Sequence, residues 1–539
     1  MLVFNHSDSP PTFHGDWGQP TWIDVTAASP SVASHATSWL VRTSLEVASD
    51  HHLIQTILDL EPHRIRVRHI PDWVRTDWRA FSRVLQGSLG LLPEGPLDSA
   101  EDIDHCVLHL TTSIHRTTMT VTPTKRVCAF SRPWWHSGLT VLRGTMFHWR
   151  RRWVRTGRVY DRERFLEARR TFRREVATAK RDSWRRLCTE STRADLWSLY
   201  RRLSQPRAHG DVDSLSIAGE VVSTDEGKAA ALAPIFFPSL PPSRDSRQAA
   251  IDFAWGTHRP PGDRDFVEVS LTEVREAVKA MPLTSAPGLD QIPVVVLRKN
   301  LFILAPWLRL IYSASLSLQY FPRTWRVAKV IVLRKPGKAS YSTPRSYRPI
   351  SLLSHLGKGL ERIVNRRMMH DLESRQVLSP YQFGFRAGRH TVAACHRLTE
   401  AIYAAFRRMH QIQAVTLDIQ AAYDTVWRAG LLRKLAEAGV EGYLVRWTQS
   451  FLMDRIAMLE VGEHTREVLT SCGVPQGSPL SPTLFLVFID DLIHSLSCLG
   501  PLKAQGFADD LVLWIEGSFR AGDIHPILRQ GLLRAEQWS

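Results

Sequence analysis

Acidic residues stand at the ends of β-like runs that ought to be buried, and this constrains the chain more than any other feature. Ala414-Val415-Thr416-Leu417 is a short, apolar, partly β-branched run that reads as a buried strand, with Asp418 at its carboxyl end. Beyond it Leu431, Leu432 and Leu435 fall on one helical face and Gly439 supplies a stop, so the segment predicts strand, acid-bearing turn, then helix. Farther on, Gly506-Phe507 and Leu511-Val512-Leu513-Trp514-Ile515 bracket Ala508-Asp509-Asp510, the pattern of a hairpin with two acids at its tip. If the two strands lie side by side, Asp418 and Asp509 converge. Clustered carboxylate oxygens suit Mg²⁺, which shares its ligand shell with substrate phosphates. Two such ions can activate an attacking 3′-hydroxyl and stabilise a leaving pyrophosphate, so the implied reaction is nucleotidyl transfer.

Paired acids are also common on solvated turns. Asp490-Asp491 follows Leu484 to Ile489 on a helix-like run, where capping or solvent exposure is the expected role. What strengthens the hairpin is Gly473-Val474-Pro475-Gln476-Gly477-Ser478-Pro479-Leu480, between the two acid sites and just before an apolar helix. Gly477 lets backbone approach a ligand closely, and Gln476 offers an amide to bases or sugars. Taken alone, the same run also reads as an ordinary Pro/Gly turn.

Of 539 residues, 69 are Lys or Arg and 53 are Asp or Glu, a net charge of +16 that suits a polyanionic partner, nucleic acid first. At 44% hydrophobic and 23% charged, the composition is globular. The cysteines are scattered without metal-ligand spacing, as expected in a reducing compartment. Neither a leader nor a membrane-spanning run is evident, so an intracellular protein is expected.

The chain divides by composition into three regions. Residues 1–58 carry β-like stretches, Thr21 to Val25 and Trp39 to Thr43, that need a larger sheet to be stable. Residues 59–264 are a basic, largely helical linker. In it Arg150-Arg151-Arg152, Arg169-Arg170, Arg173-Arg174 and Arg185-Arg186 alternate with aromatics, and Phe165, Phe172, Val176 and Ala179 mark a buried stripe opposite the arginines. This linker is expected either to contact nucleic acid or to be a solvated helical connection. Its end, from about 205, is rich in Pro, Ser, Asp and Gly and reads as irregular. Residues 265–539 alternate helical and β-rich patterns, the mark of an α+β or α/β domain.

Several motifs in this last region, taken in order, resemble the reverse transcriptase of LINE-type, non-LTR retrotransposons. Leu417-Asp418-Ile419-Gln420-Ala421-Ala422-Tyr423-Asp424 resembles the first catalytic motif, Gly473 to Pro479 the second, and Phe507-Ala508-Asp509-Asp510 the acid hairpin. Upstream, Ser346-Tyr347-Arg348-Pro349-Ile350-Ser351-Leu352-Leu353 and Gln382-Phe383-Gly384-Phe385-Arg386 resemble the two fingers motifs. The resemblance implies an α+β polymerase right-hand fold with fingers and an incomplete palm, lacking the thumb. It implies that Asp418, the Ile419 carbonyl and Asp509 bind two Mg²⁺ (or Mn²⁺) ions, with Asp510 in support. Arg348 and Arg386 would hold the triphosphate, Tyr423 would exclude a 2′-hydroxyl and so favour dNTPs over rNTPs, and Gln476 and Gly477 would meet the substrate. The implied partners are an RNA template, a DNA primer and dNTP, with work in the nucleus or cytoplasm. A non-catalytic nucleic-acid-binding remnant is the alternative.

Pro287-Gly288-Leu289-Asp290-Gln291-Ile292 resembles a loop preceding the fingers, with Leu289 and Gln291 departing from the family pattern. Trp22-Ile23-Asp24-Val25 and Ala48-Ser49-Asp50-His51 resemble the end of an apurinic-endonuclease-like domain, which would make Asp24, Asp50 and His51 a remnant of its site. Truncation at both ends, with weak duplex holding, is the corresponding expectation.

Overall fold

The computed structural model describes residues 2–538 except 7, 14–20, 29, 34–35, 44–50, 60–67, 94, 128–133, 191–211, 218, 240–265 and 519–524. The chain forms two compact units, one of residues 1–70 with 125–186 and the other of residues 71–124 with 187–539.

In the first unit, β1 (Ala36–Arg42) pairs antiparallel with β2 (Leu53–Leu58). The second unit contributes α1 (Trp78–Leu89) and α2 (Ala100–Val121), followed in the chain by the first unit's helical pair α3 (Ser137–Thr156) and α4 (Val159–Glu190). Gly157, at φ +64, closes α3 in the left-handed conformation that glycine adopts without strain. The pair zips through aromatics: Trp153 stacks on Phe165 at 5.7 Å, and buried Asp161 binds Arg152 and Thr156 beside the turn. Phe165, Phe172, Val176 and Ala179 face inward, but each is only half-buried. The expected strand at Thr21–Val25 does not form. Thr21 makes only an isolated bridge to Phe13, and Trp22, Ile23 and Val25 are more than half exposed with no partner strand among the described residues, so the segment is a loop, held also by Trp22 Nε1 donating to the Ser9 carbonyl.

The second unit is built on one large apolar core. Phe81 and Leu85 of α1 and Ile103 and Leu110 of α2 lie in it with Leu308 and Ile311 of a later helix. The stretch expected to be irregular contains a helix, α5 (Asp225–Phe236), capped by Thr224. Its alanines favour helix over the flanking Pro and Ser, and Leu232 and Phe236 anchor it in a second apolar cluster with Val330 and Leu459. Then come α6 (Leu271–Lys279), α7 (Leu301–Ser317), β3 (Val327–Arg334), β4 (Tyr347–Leu352), α8 (His355–Ser374) and α9 (Thr391–Arg407). The rest of the chain adds β5 (Gln411–Asp418), α10 (Arg428–Glu437), α11 (Gly442–Leu452), β6 (Arg455–Val461), β7 (His464–Thr470), α12 (Ser481–Ser497), β8 (Lys503–Phe507), β9 (Asp510–Gly517) and α13 (Pro526–Trp538).

Two sheets result. One has the order β4-β3-β6-β7, with β3 and β6 parallel and the other neighbours antiparallel; the second is β5-β9-β8, fully antiparallel. β5 is not buried on both faces as its run suggested. Val415 and Leu417 pack on the large core while Ala414, Thr416 and Asp418 are exposed, the alternation of a sheet with one open face. The Pro287–Ile292 loop is a brace. Asp290 accepts from Ser354 Oγ at 2.5 Å, and a Cβ on Gly288 would meet the Ser354 nitrogen at 2.7 Å, so the loop seats tightly where β4 passes into α8.

Candidate active site

The open face of the β5-β9-β8 sheet ends in carboxylates because of its register. Asp418 sits directly across from Asp510, Leu417 across from Leu511, and Phe507 across from Asp510 on the other side. Asp509 occupies the turn before β9. Ala508 ahead of it holds φ +58, and Ala421, just past Asp418, holds φ +55, so both acid-bearing turns carry a non-glycine residue in the left-handed region. Such backbone costs about 1–2 kcal/mol and persists only where surroundings impose it. Burial pushes the Asp509 carboxyl up, and neighbouring Asp510 and Asp418 push it further, against the opposing Arg348. Three acids and one arginine thus share a field.

Two loops close around this edge. Val474 N–H donates to the Tyr423 carbonyl at 2.8 Å and Gly473 N–H to the Val426 carbonyl at 2.9 Å, stitching the Gly-Val-Pro-Gln-Gly loop to the turn after Asp418. Ser351 N–H donates to the Gln476 carbonyl at 2.8 Å, and a Cβ on Gly477, at φ +127, would meet the Ser351 oxygen at 2.3 Å. Gly477 therefore serves approach of backbone to backbone as its first duty. Arg428 fastens the base of the loop through the carbonyls of Thr470, Cys472 and Gly473.

Gln476 donates its amide to Asp424 Oδ2 at 2.8 Å, an interaction not anticipated from the sequence. Burial pushes the Asp424 carboxyl up to about 7, against the Gln476 bond and nearby Lys335. Lys335 is the second unforeseen member. Burial and the neighbouring Arg348 and Lys338 lower its ammonium, while Asp424 and Asp418 oppose them. Its signal was the Lys335-Pro336-Gly337-Lys338 turn that closes β3. Tyr423 stacks its ring on Phe485 at 5.1 Å, and burial, with Asp509 near, raises its hydroxyl. Ile419 packs its side chain against the core.

Arg348 lies exposed on β4 beside this cluster. Arg386 does not join it. Its guanidinium forks onto Glu373, 2.7 Å to each oxygen, donates to the Ser379 carbonyl at 2.6 Å and is 4% exposed. A phosphate-binding role does not fit that geometry, and Arg386 is a strut between α8 and the segment before α9. The other Asp pair is likewise structural: Asp490 accepts from Ser379 N–H and Asp491 binds Lys434 and Trp538.

Among the described residues no three His, Cys, Asp or Glu side chains group closely enough to hold a metal unaided. The donor set nonetheless suits a hard divalent cation: three like charges at one open sheet edge, with ligand positions left for backbone oxygen and substrate phosphates. No helix among the described residues is long and apolar enough to cross a membrane.

In the first unit, His51 Nδ1 lies 2.8 Å from Asp24 Oδ2, with the His51 ring edge-on to Phe13. That bond lowers the Asp24 carboxyl. Asp50 lies outside the described residues.

Residues 333–536, which hold Asp418, Asp509, the Gly-Val-Pro-Gln-Gly loop and Arg348, match the family model of reverse transcriptase (RNA-dependent DNA polymerase). This segment is a reverse transcriptase domain. The chain is 31% identical over 500 residues to a probable RNA-directed DNA polymerase from transposon BS of Drosophila melanogaster, covering 88% of this chain and 53% of the relative. It is 35% identical over 226 residues to the RNA-directed DNA polymerase from mobile element jockey of the same fly, 42% of this chain and 24% of that one. It is 26% identical over 536 residues to the Pol polyprotein of type-1 retrotransposable element R1 of Bradysia coprophila, 97% and 52% respectively. The chain is thus similar along most of its length to proteins of non-LTR retrotransposons, and spans about half the length of the first and third of these relatives.

Proposed function

We propose that this chain is the polymerase portion of a non-LTR retroelement protein and catalyses RNA-templated DNA synthesis, in the nucleus or cytoplasm. The observation that carries the reading is the register that sets Asp418 against Asp510 with Asp509 in the adjoining turn. Asp418, Asp509 and the Ile419 carbonyl would hold two Mg²⁺ ions, which supply activation of the primer 3′-hydroxyl and neutralise charge on the departing pyrophosphate. Asp510 keeps negative charge at the site. Arg348 and Lys335 meet the triphosphate, the arginine by its planar fork and the lysine as a point charge. Tyr423, braced on Phe485, walls the sugar so that a 2′-hydroxyl collides. Asp424, able only to accept when ionised, fixes Gln476 with its amide nitrogen inward and its oxygen free for a sugar hydroxyl.

A second reading, nucleic-acid holding without catalysis, is favoured by α3 and α4. Residues 137–190 carry sixteen Lys and Arg against six Asp and Glu, and Arg162, Arg169 and Arg173 are exposed along α4. The hairpin's own aromatic pairings take up Trp153 and Phe165, so contact would run through phosphates rather than base stacking. The segment 1–58, with Asp24, Asp50 and His51, is proposed as the end of an endonuclease-like domain.

Primer extension on an RNA template with Mg²⁺ tests the first reading. DNA product from dNTPs and not from rNTPs is expected, with rNTP use appearing in Tyr423→Ala. Tight RNA binding without product would support the second reading.

A further inference from the structure

Ala508 belongs to neither strand of the acid hairpin, so the ladder pairs neither its N–H nor its carbonyl. Both are taken by one side chain from far away in sequence. Gln382 Oε1 accepts from Ala508 N–H at 3.0 Å, and Gln382 Nε2 donates to the Ala508 carbonyl at 3.2 Å. The same oxygen accepts from Gly384 N–H at 2.9 Å, and the Gln382 residue is fully buried. Around it the main chain adds two further bonds, Phe383 N–H to the Gly506 carbonyl at 2.8 Å and Gly506 N–H to the Tyr381 carbonyl at 3.0 Å. A Cβ on Gly384 would meet Ala508 N at 2.3 Å, so the strap is pressed onto the turn with no slack. Arg386, through Glu373 and the Ser379 carbonyl, ties the strap down.

We propose that Gln382 is a positioning residue for Asp509: its amide acts as a one-residue strand partner that holds Ala508 in the left-handed conformation and so aims the following carboxylate at Asp418. The proposal rests on the polymerase reading of the site. Its logic is that of complementary hydrogen bonding. An alanine at φ +58 is strained, and a partner matching both of its backbone groups makes that conformation the one in which neither group is left unpaired. Only an amide side chain offers an acceptor and a donor at that separation. Methionine has the length without either capacity.

The test compares wild type, Gln382→Met, Ala508→Gly and the double variant, each with its melting temperature recorded. Gln382→Met is expected to lower kcat for primer extension by roughly tenfold or more, with KM for dNTP within about twofold, since only the aim of Asp509 changes. Glycine adopts positive φ without help, so Ala508→Gly should recover part of that loss in the Met background and give no comparable gain in wild type. Hydrogen exchange reads the clamp without activity. The Ala508 amide should be protected in wild type and exposed in Gln382→Met, while the Gly506 amide, bonded to backbone, stays protected as a sign that the strap is still seated. Gln382→Glu keeps the acceptor and loses the donor, and serves if the Met variant does not fold; it should keep Ala508 protected and lower kcat less. Equal kcat in Gln382→Met and wild type, no recovery by Ala508→Gly, or fast exchange at Ala508 in wild type would each overturn the proposal. Absence of any extension by wild type would strike the polymerase reading instead, and the exchange experiment would still decide whether the clamp exists.

Discussion

The molecule carries two places where sequence put an aspartate in an active role, and they are built to very different depths. Asp24 meets His51 across a loop, beside a two-stranded sheet, with Trp22, Ile23 and Val25 largely exposed around it. Asp509 sits at the end of a three-stranded sheet whose inner face joins the largest core of the chain, under a strap whose main chain and side chains both reach its turn. The scaffolds differ. A carboxylate can be aimed only as well as its backbone is held, so the second place is fitted for chemistry in a way the first is not. Electrostatics say the same. The bond from His51 lowers the Asp24 carboxyl, the signature of a satisfied pair, whereas burial and neighbouring acids raise Asp509, the signature of a group that a cation would relieve.

The sharpest way to break this contrast is to neutralise each acid in turn. Asp509→Asn should cut primer extension by at least ~10³-fold, the scale on which charge directed at the reacting centre contributes, with unfolding behaviour nearly unchanged. Asp24→Asn should leave extension within about twofold. Equal losses from both would erase the distinction.

Crowding the two scaffolds sharpens it further. A methyl on Gly384 runs into the Ala508 main chain at 2.3 Å, so Gly384→Ala should destabilise the larger unit by about 1–3 kcal/mol in denaturant unfolding. His51→Ala, which loosens a half-exposed pair, should cost less than that.

The smallest effect concerns pH. Because the folded Asp424 carboxyl is raised to about 7, the native state holds a proton there that the unfolded chain releases near pH 4. Its contribution is therefore full below that value and is lost as pH climbs through about 7. Asp424→Asn, which cannot ionise, should flatten this loss, so that the variant gains stability relative to wild type at pH 8 compared with pH 5. The Asp24 carboxyl, lowered instead, carries the opposite sign: its contribution holds above the unfolded value and fades on acidification. An unchanged slope in Asp424→Asn would remove the carboxylate from the buried set.

Local pattern made much of this legible. The acid-tipped hairpin and the α10 helix with its Gly439 stop follow from alternation, periodicity and glycine placement, each a property of a few consecutive residues. Interactions between distant segments were not legible. Arg386 looks like a phosphate ligand in sequence because nothing there shows Glu373 thirteen residues earlier waiting on α8. Gln382 reads as one letter of a motif until the fold brings it to Ala508, 126 residues on. Asp424 and Lys335 escaped for the same reason. The helix α5 was missed because proline and serine beside it outweighed its own alanines, and the Thr21–Val25 strand was expected because β propensity does not reveal whether a neighbour exists.

Asp418 and Asp509 are proposed to face one cation site, and Fe²⁺-directed hydroxyl-radical cleavage reads that out, with Fe²⁺ standing in for Mg²⁺. Two backbone cuts are predicted, one near residue 418 and one near 509, both suppressed by excess Mg²⁺ and both lost in Asp509→Asn. Cleavage at one of these positions without the other, or cuts that survive Asp509→Asn, would contradict a shared site.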